Sequence, residues 1–440
     1  MPKYGRRLIF PSSRNSLAKF APVGNNIKKF TLQMSDSANC YMCKTIKAVK
    51  GIEMCPRHLK EQNYFKTKSM VNSLDLSGSS PPGIFVGRAG YPKVFVGPLI
   101  PPVHGDTIKM DTPEMWNGLA INDIVSFRSQ LVRGMKPVKI MGEENKYLDT
   151  IKELALAKDS AEVEAKFTKT PRGGSFSEDS QPFGPSAPIK DIMIGSMKTE
   201  QTIEKACSDT DLLAADAVMN LYEKGIYISK IQRSFSAGLF GLGKRRKLVP
   251  TRWSITAVDS TLSKIISDNV KQNPAIDEFR VYYHEYFDNR WAVLMMPYEW
   301  SYELIEAWYP ETLWNPASSI MIFSDHEGND GKKEYSRIGG CFYSARLAVS
   351  ELLNKERKQA SIVIMRETHP GYIMPLGVWF TRNSVRECMD KQPAKFDSLQ
   401  AALNFISSKL AIKMEKWLQN SAVLRNVMHQ RKLGSFIVRQ

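Results

Sequence analysis

Strand-like runs separated by helical segments fill much of the second half of this 440-residue chain. The runs are rich in β-branched and aromatic residues, a composition typical of strands. They read RWSITAVD, EFRVYYHEYFDNRWAVLMMP, SSIMIF, ASIVIMRE and LGVWFTR. Their alternation with helices predicts an α+β protein with a mixed α/β core, at a length that allows two or three domains.

The first half of the chain contains a hairpin signal. Two β-rich runs at 84–86 and 94–96 flank a Gly-Tyr-Pro turn and are bounded by proline pairs. This arrangement predicts a β-hairpin with Arg88 at its tip. A later segment, 171–188, is rich in Pro, Gly and Ser and is typical of a loop or linker.

Helix signals follow the hairpin. Thr112 in the N-cap position, Pro113 at the first helical position and Gly134 as a stop indicate a helix. Further helices are predicted over 145–167, 199–225 and 398–418. No internal repeat is present.

The most specific chemical pattern is C-x2-C-x11-C-x2-H, formed by Cys40, Cys43, Cys55 and His58. Each two-residue gap allows a tight turn to bring two ligands to one metal ion, and three thiolates with one imidazole complete a closed, structural zinc site. The alternative is a set of unrelated buried cysteines. A redox function for Cys40 and Cys43 is less favoured, because no βαβ pattern surrounds them.

The charge of the chain favours an anionic partner. The 61 Lys and Arg residues against 45 Asp and Glu give a net charge of +16, which suits nucleic acid or an anionic membrane surface. No apolar run approaches the roughly 18 residues that span a bilayer, so no membrane association through a span is expected. The N-terminal stretch has no secretion signal; it is interpreted as a cationic arm, with a transit peptide as the alternative. The six cysteines indicate a reducing compartment, and a cytoplasmic location is expected.

A basic cluster lies beside glycines in GLFGLGKRRKLVPTRW. Lys244, Arg245, Arg246 and Lys247 are consecutive, and Arg252 follows. Glycines allow a loop to approach a backbone closely and guanidinium groups bind phosphate in a bidentate manner, so these five residues are candidate nucleic-acid contacts. A solvated basic loop explains them equally well. The segment lacks the G-K-[ST] ending of a P-loop.

The C-terminal segment QRKLGSFIVRQ resembles the PIP motif, by which replication and repair proteins dock onto the sliding clamp PCNA. Its candidate contacts are Gln430, Leu433, Phe436 and Ile437. Apolar residues near the end of a chain, away from its core, suggest a partner. Ile437 stands where a second aromatic is commoner. The alternative is the end of an amphipathic helix, against which Gly434 argues.

Two polar segments are weaker candidates. FSDHEGND could bind a metal, but Asp, Gly and Asn are ordinary turn residues. Glu367, His369 and Tyr372 in RETHPGYIMPLGVWF could line a pocket, although a structural turn explains them as well. No catalytic constellation is evident.

Several long segments together resemble the archaeal Nre family of DNA-repair proteins. They are the Cys/His knuckle, PPGIFVGRAGYPKVFVGPL, DTDLLAADAVMNLYEKG, KRRKLVPTRWSITAVDST, GGCFYSARLAVSELL, HPGYIMPLGVWFTRNSVRE and the C-terminal segment. The resemblance implies a cytoplasmic, nucleoid-associated repair factor recruited to PCNA, with excision-repair nucleases as proposed partners. It supplies no catalytic residues.

The residues and the resemblance together predict a DNA-binding repair factor that PCNA recruits. The predicted organisation is a basic arm 1–36, a zinc knuckle 37–62, an N-terminal lobe 63–275, a C-terminal lobe 276–418 and a tail 419–440. Two other functions stay open. One is a nucleic-acid-processing or nucleotide-using enzyme, for example one that uses NAD, with a pocket near Arg88, Tyr91, Arg252 and Tyr372. The other is an RNA-associated zinc protein.

Overall fold

The computed structural model describes residues 56–141, 145–173, 183–310, 312 and 314–429. Within these residues, twelve strands form two six-stranded sheets, and helices lie between and around them. The mixed α/β core predicted from the sequence is therefore confirmed. No helix in these ranges is both long enough and apolar enough to cross a membrane.

The first sheet comes from the N-terminal half and has the strand order β1-β5-β6-β4-β3-β2. Its strands are β1 Asp75–Ser80, β2 Ile84–Val86, β3 Lys93–Ile100, β4 Val132–Lys139, β5 Ala161–Phe167 and β6 Ser186–Ile194. Neighbouring strands are antiparallel, except that β4 and β6 run parallel. Buried and exposed residues alternate along β5, because only one of its faces packs on the core.

The second sheet has the strand order β10-β9-β11-β8-β7-β12. Its strands are β7 Phe279–Tyr286, β8 Asn289–Met296, β9 Ser301–Trp308, β10 Met321–Glu327, β11 Ser361–Thr368 and β12 Ala394–Phe396. The central strand β11 runs parallel to β9 and antiparallel to β8. All eight of its residues are buried, as expected for a strand covered on both faces.

Helices fill the space around the sheets. They are α1 Pro56–Met70, α2 Ile121–Gln130, α3 Lys146–Leu156, α4 Gln201–Ser208, α5 Ala214–Glu223, α6 Ile228–Ser236, α7 Thr251–Val270, α8 Gly340–Glu356, α9 Val378–Met389, α10 Leu399–Lys409, α11 Met414–Asn420 and α12 Ala422–His429. One face of the second sheet, with Val293 and Ile364, belongs to a core cluster that continues through α7 and α8 into the first sheet. The opposite face, with Leu294 and Val363, packs against α10, α11 and α12.

Two segments predicted as strands are helices. RWSITAVD lies in α7, and LGVWFTR enters α9. The buried face of α7 includes Ser254, Asp259 and Ser263 as well as Val258, so its helical periodicity is hidden when only apolar residues are counted. A short apolar run like LGVWF does not distinguish a strand from a buried helix by periodicity.

The helix predicted from Thr112 to Gly134 is present only over Ile121–Gln130, and both predicted ends are wrong. Pro113–Met115 forms a single 3-10 turn, and α2 begins only at Ile121. Gly134 lies inside β4, where a Cβ atom on Gly97 of β3 would be 1.7 Å from its carbonyl oxygen. The two glycines therefore allow a close approach of neighbouring strands, whereas the sequence pattern suggested a helix stop at Gly134.

Three other predicted helices are shorter than expected. The segment 145–167 divides into α3 and β5, the segment 199–225 divides into α4 and α5, and the segment 398–418 divides into α10 and α11. In each case the helical pattern is present but does not continue through the whole segment.

Candidate functional site

The β2–β3 hairpin ends in a short surface turn. The amide of Lys93 donates to the carbonyl oxygen of Gly90 at 2.9 Å. Gly90 has a φ of 80°, a left-handed conformation that glycine adopts without steric cost. Arg88 and Tyr91 are exposed in this turn, so the hairpin predicted from the sequence, with Arg88 at its tip, is confirmed.

Hydrogen bonds hold this hairpin against the start of α7. The hydroxyl of Thr251, the first residue of α7, accepts from the amide of Val86 at 2.9 Å. The carbonyl of Pro92 accepts from the amide of Ile140, and the carbonyl of Ile140 accepts from the amide of Leu248. Segments that are far apart in the sequence therefore lie side by side.

Exposed rings lie at this junction. The ring centroids of Tyr91 and Trp253 are 5.1 Å apart, with an angle of 53° between their planes. Their side chains are 42% and 36% exposed. Tyr335 is 50% exposed, lies close enough to Arg252 to affect its pKa, and packs on Tyr343 of α8 with ring centroids 5.7 Å apart. We call Arg88, Tyr91, Arg252, Trp253 and Tyr335 the arginine-aromatic face.

The two arginines of this face lie close enough to repel each other. The pKa of Arg252 is lowered, first by partial burial and then by the neighbouring Arg88 cation, while Tyr335 acts in the opposite direction. Arginine nevertheless stays protonated at neutral pH. Among the described residues, neither guanidinium forms an ion pair with a carboxylate. The face therefore combines unneutralised positive charge with exposed rings.

The residues of the predicted basic cluster 244–247 have different environments. Gly243–Arg245 forms a single 3-10 turn in which Lys244 and Arg245 are exposed. The Arg246 guanidinium instead donates to the carbonyl oxygens of Gly241, Cys207 and Asp209, at 2.7, 2.5 and 2.6 Å. Arg246 therefore holds its loop against the end of α4 and has few donors left for a phosphate.

Lys247 is half-buried, and Arg252 lies beyond the loop in the first turn of α7. The structure thus brings Arg252 next to Arg88, which the sequence placed in a different motif. Charge alone could not have shown this pairing, because it depends on how the hairpin packs on α7.

Tyr372 does not line a surface pocket with these residues. It is 4% exposed, and its hydroxyl accepts from the amide of Leu376 at 3.1 Å. Beside it the buried Arg366 donates to Glu306 at 2.7 Å and to Asn289 at 2.9 Å. Tyr372 is thus part of a buried polar and aromatic core.

The other polar candidates have structural partners. Glu367 is fully buried and accepts from the amides of Ala411 and Ile412 at 3.0 and 2.7 Å, and its carboxylate also lies 3.1 Å from Nε2 of His369. It therefore holds the connection between α10 and α11.

Asp325, in FSDHEGND, accepts from Lys332 Nζ, Ser336 Oγ and the amide of Arg337, at 2.7, 2.7 and 2.8 Å. Its oxygens therefore organise the following turn. Throughout the part of the chain that the structure describes, no group of three or more His, Cys, Asp or Glu side chains is arranged to hold a metal ion.

Three sequence predictions fall outside the described residues. These are the basic arm 1–36, the zinc ligands Cys40, Cys43 and Cys55, and the PIP-like residues Gln430, Leu433, Phe436 and Ile437. His58, the remaining zinc ligand, lies half-buried in the first turn of α1. The next residue, Leu59, is buried in a small apolar cluster with Val125 and Met374, so α1 is anchored on the body of the protein.

A buried ion pair that sequence reasoning missed supports α7. The carboxylate oxygens of Asp259 each lie 2.8 Å from Nη1 of Arg382 on α9, and Gln232 on α6 donates to Asp259 at 3.0 Å. Asp259 and Arg382 are almost completely buried. The sequence signal for this ion pair was the acidic residue Asp259 in the segment RWSITAVD. It was missed because that segment was predicted to be a strand.

Comparison with known proteins gives matches over most of the chain. Residues 50–315 match the family sequence model described as "Archaeal Nre, N-terminal", and residues 327–436 match "Archaeal Nre, C-terminal". The first match includes Cys55 and His58 but begins after Cys40 and Cys43. The second ends at Phe436. No solved structure matches.

Three curated proteins are similar to this chain. "DNA repair protein NreB" of Archaeoglobus fulgidus is 41% identical over 365 residues, which cover 82% of this chain and 92% of the relative. "DNA repair protein NreA" of the same organism is 35% identical over 380 residues, covering 86% and 95%. "DNA repair protein NreA" of Haloferax volcanii is 31% identical over 357 residues, covering 78% and 85%.

Proposed function

We infer that this chain, which belongs to the archaeal Nre family, has a role in DNA repair. The similarity extends over most of the chain and of each relative. All three relatives carry DNA repair in their names. We further propose that the protein binds nucleic acid through the arginine-aromatic face.

The observation that carries this proposal is the contact between Tyr91 and Trp253, which places the turn that contains Arg88 against the first turn of α7, where Arg252 lies. The two guanidinium groups lie near enough for the Arg88 cation to lower the pKa of Arg252, and no described carboxylate neutralises them, in a chain with a net charge of +16. A phosphate backbone supplies negative charge at a spacing that two such groups can follow, and arginine binds phosphate oxygens through paired N–H donors. The exposed Lys244 and Arg245 add positive charge on the segment that leads into α7.

Replacing both arginines should weaken DNA binding. In an Arg88→Ala/Arg252→Ala variant, we expect lower affinity for DNA, with the slope of log affinity against log salt shallower by about one unit for each phosphate that the variant no longer neutralises. Fluorescence anisotropy titrations at several salt concentrations measure both quantities. A Lys244→Ala/Arg245→Ala variant tests the neighbouring loop in the same way.

A matched control removes two positive charges elsewhere. Lys355→Ala/Arg357→Gly acts at the far end of α8, about 25 Å along that 17-residue helix from its beginning. Glycine suits position 357, because Arg357 has left-handed backbone angles. If this control loses as much affinity as the arginine variant, only net charge matters and the proposed face is refuted.

We also propose that Cys40, Cys43, Cys55 and His58 hold one structural zinc ion. Three thiolates and one imidazole suit tetrahedral zinc without an open position. His58 lies in the first turn of α1, which Leu59 anchors on the body. A zinc ion bound there would connect the Cys-containing segment to that helix.

Removing two thiolates should remove the zinc. We expect the purified protein to contain about one zinc ion per chain by elemental analysis, and a Cys40→Ser/Cys43→Ser variant to contain almost none, because two ligands cannot retain a structural zinc ion. Cys207→Ser serves as the control, since Cys207 is outside the ligand set, and should keep its zinc. Full zinc content in the double variant would contradict the proposal.

The third part of the proposal is recruitment to the sliding clamp PCNA through Gln430, Leu433, Phe436 and Ile437. The support is the spacing of a glutamine, an aliphatic residue, an aromatic residue and a second apolar residue near the C-terminus. Such a segment can supply a few apolar side chains to one pocket of a partner. Excision-repair nucleases are further candidate partners by resemblance.

A further inference from the structure

The exposed rings of the arginine-aromatic face carry an inference about which nucleic acid it binds. Six aromatic side chains of Phe, Tyr or Trp are strongly exposed among the described residues, namely Tyr91, Phe95, Tyr227, Trp253, Trp314 and Tyr335. Three of the six, Tyr91, Trp253 and Tyr335, belong to the arginine-aromatic face. Large aromatic surface in water is unfavourable, so its concentration at this arginine pair points to a ligand with flat apolar faces and negative charge.

The rings are held in place by the fold. Tyr91 and Trp253 contact each other across the junction that the Val86 to Thr251 hydrogen bond fixes. Tyr335 packs on the buried Tyr343 of α8, with ring centroids 5.7 Å apart. Such rings lose little conformational freedom when a ligand stacks on them.

The angle between the first two rings limits how they can be used. Their planes are inclined by 53° at a centroid distance of 5.1 Å, so they form a corner and leave no slot for a base between them. A base can stack only on an outer ring face. In a duplex the base faces are covered by neighbouring base pairs, whereas in a single strand they are accessible.

The position of the arginines also suits a single strand. Arg252 directly precedes Trp253 in α7 and lies close enough to Tyr335 for that side chain to affect its pKa, so a phosphate at Arg252 would have exposed rings near it. This alternation of positive charge and rings is the usual way in which proteins bind single strands without reading their sequence. An acidic peptide would use the charge but would leave the rings without stacking partners.

We propose that the arginine-aromatic face binds single-stranded DNA, with Arg88 and Arg252 on the phosphates and Tyr91, Trp253 and Tyr335 stacked on the bases. This proposal rests on the proposed nucleic-acid function and adds the class of substrate. It assigns the rings to bases and the arginines to the backbone, so the two groups of residues have different experimental signatures.

The experiment compares four labelled or competing probes on the full chain. They are a single-stranded oligonucleotide of about 15 nucleotides, which is near the upper site size of small single-strand binders, its duplex, an abasic oligonucleotide of equal length, and poly-glutamate. Trp253→Ala and Tyr91→Ala should each lower single-strand affinity about five-fold or more. Their salt slopes and their duplex affinity should stay within about two-fold of the wild-type values, because no phosphate contact is removed.

The controls separate stacking from folding. Trp253→Phe keeps a ring and should retain most of the affinity, and Trp314→Ala removes a comparably exposed ring outside the face and should have no effect. Thermal unfolding of each variant shows whether it is folded. The abasic probe should bind the wild type weakly and should be insensitive to Trp253→Ala.

The possible outcomes distinguish an error in the nucleic-acid site from an error in the single-strand assignment. If Arg88→Ala/Arg252→Ala weakens binding to every nucleic-acid probe while the ring variants change nothing, the nucleic-acid site stands and the single-strand assignment is overturned. If neither set of variants has an effect, both proposals fail. Equal wild-type affinity for single strand, duplex and abasic probe, or for poly-glutamate, also overturns the single-strand assignment.

Discussion

The Asp259→Ala variant should lose about 3 to 5 kcal/mol of unfolding free energy. Asp259 accepts two contacts of 2.8 Å from Arg382 and one of 3.0 Å from Gln232, so it joins α7 to α9 and α6. Without the carboxylate, the Arg382 cation, whose side chain is 1% exposed, keeps only the longer 3.9 Å contact with Glu114 in the core. An unpaired buried charge is far more costly than a broken surface pair.

Urea unfolding followed by fluorescence measures this loss. An Asp259→Ala/Arg382→Leu variant should be more stable than Asp259→Ala alone, because it removes the buried cation that has lost its main partner. Asp268→Ala on the same helix is the control, since Asp268 is itself 41% exposed and pairs with Lys264 at 2.8 Å and Lys271 at 3.1 Å near the helix end. It should lose no more than about 1 kcal/mol, and a similarly small loss for Asp259→Ala would contradict the assigned role.

This ion pair matters for the site because α7 carries Arg252 and Trp253. The helix begins at Thr251 against the hairpin and is held two turns later by Asp259. Because α7 is held in place, Arg252 and Trp253 keep their positions beside the hairpin turn. The stability of the fold and the geometry of the proposed binding face therefore both depend on α7.

The sequence predicted an element correctly where the residues of that element alone determine its structure. The hairpin followed from two β-rich runs around a Gly-Tyr-Pro turn, and β11 followed from the continuous apolar run ASIVIM. The strand prediction for α7 failed because its buried face contains serines and a charged residue, whose burial depends on partners contributed by α6 and α9. No single segment carries that information.

The site was predictable only in pieces. Arg88 at a hairpin tip and Arg252 after a basic loop were both noted from the sequence, but their proximity depends on the packing of β2 against α7. Tyr335 comes from a loop more than 80 residues after Arg252 in the printed sequence. Conversely, the four consecutive basic residues at 244–247 suggested more groups for phosphate binding than the structure offers. The Arg246 guanidinium already donates to three carbonyl oxygens of the protein.

Removing residues 430–440 should abolish binding to the sliding clamp while leaving the fold intact. The described body reaches α12, which is anchored before that segment begins. Buried Glu303 accepts from the amides of Ala422 and Val423 at 2.8 and 3.1 Å, and Leu424 is completely buried. The deletion therefore takes away no described core residue, and we expect an unchanged thermal unfolding midpoint and unchanged zinc content.

Within the deleted segment, Phe436 should contribute most of the binding energy. An isolated peptide of residues 430–440 loses conformational freedom when it binds, so its affinity should be about micromolar, which corresponds to about 8 kcal/mol. A buried aromatic residue dominates so small an interface, and Phe436→Ala should cost about 2 to 4 kcal/mol, enough to abolish detectable binding in calorimetry. Arg439→Ala is the control, because a rim charge should mainly slow association at low salt. Clamp binding by the truncated protein at its original affinity would refute the assignment and leave the Q-x-x-L-x-x-F-I pattern without a partner.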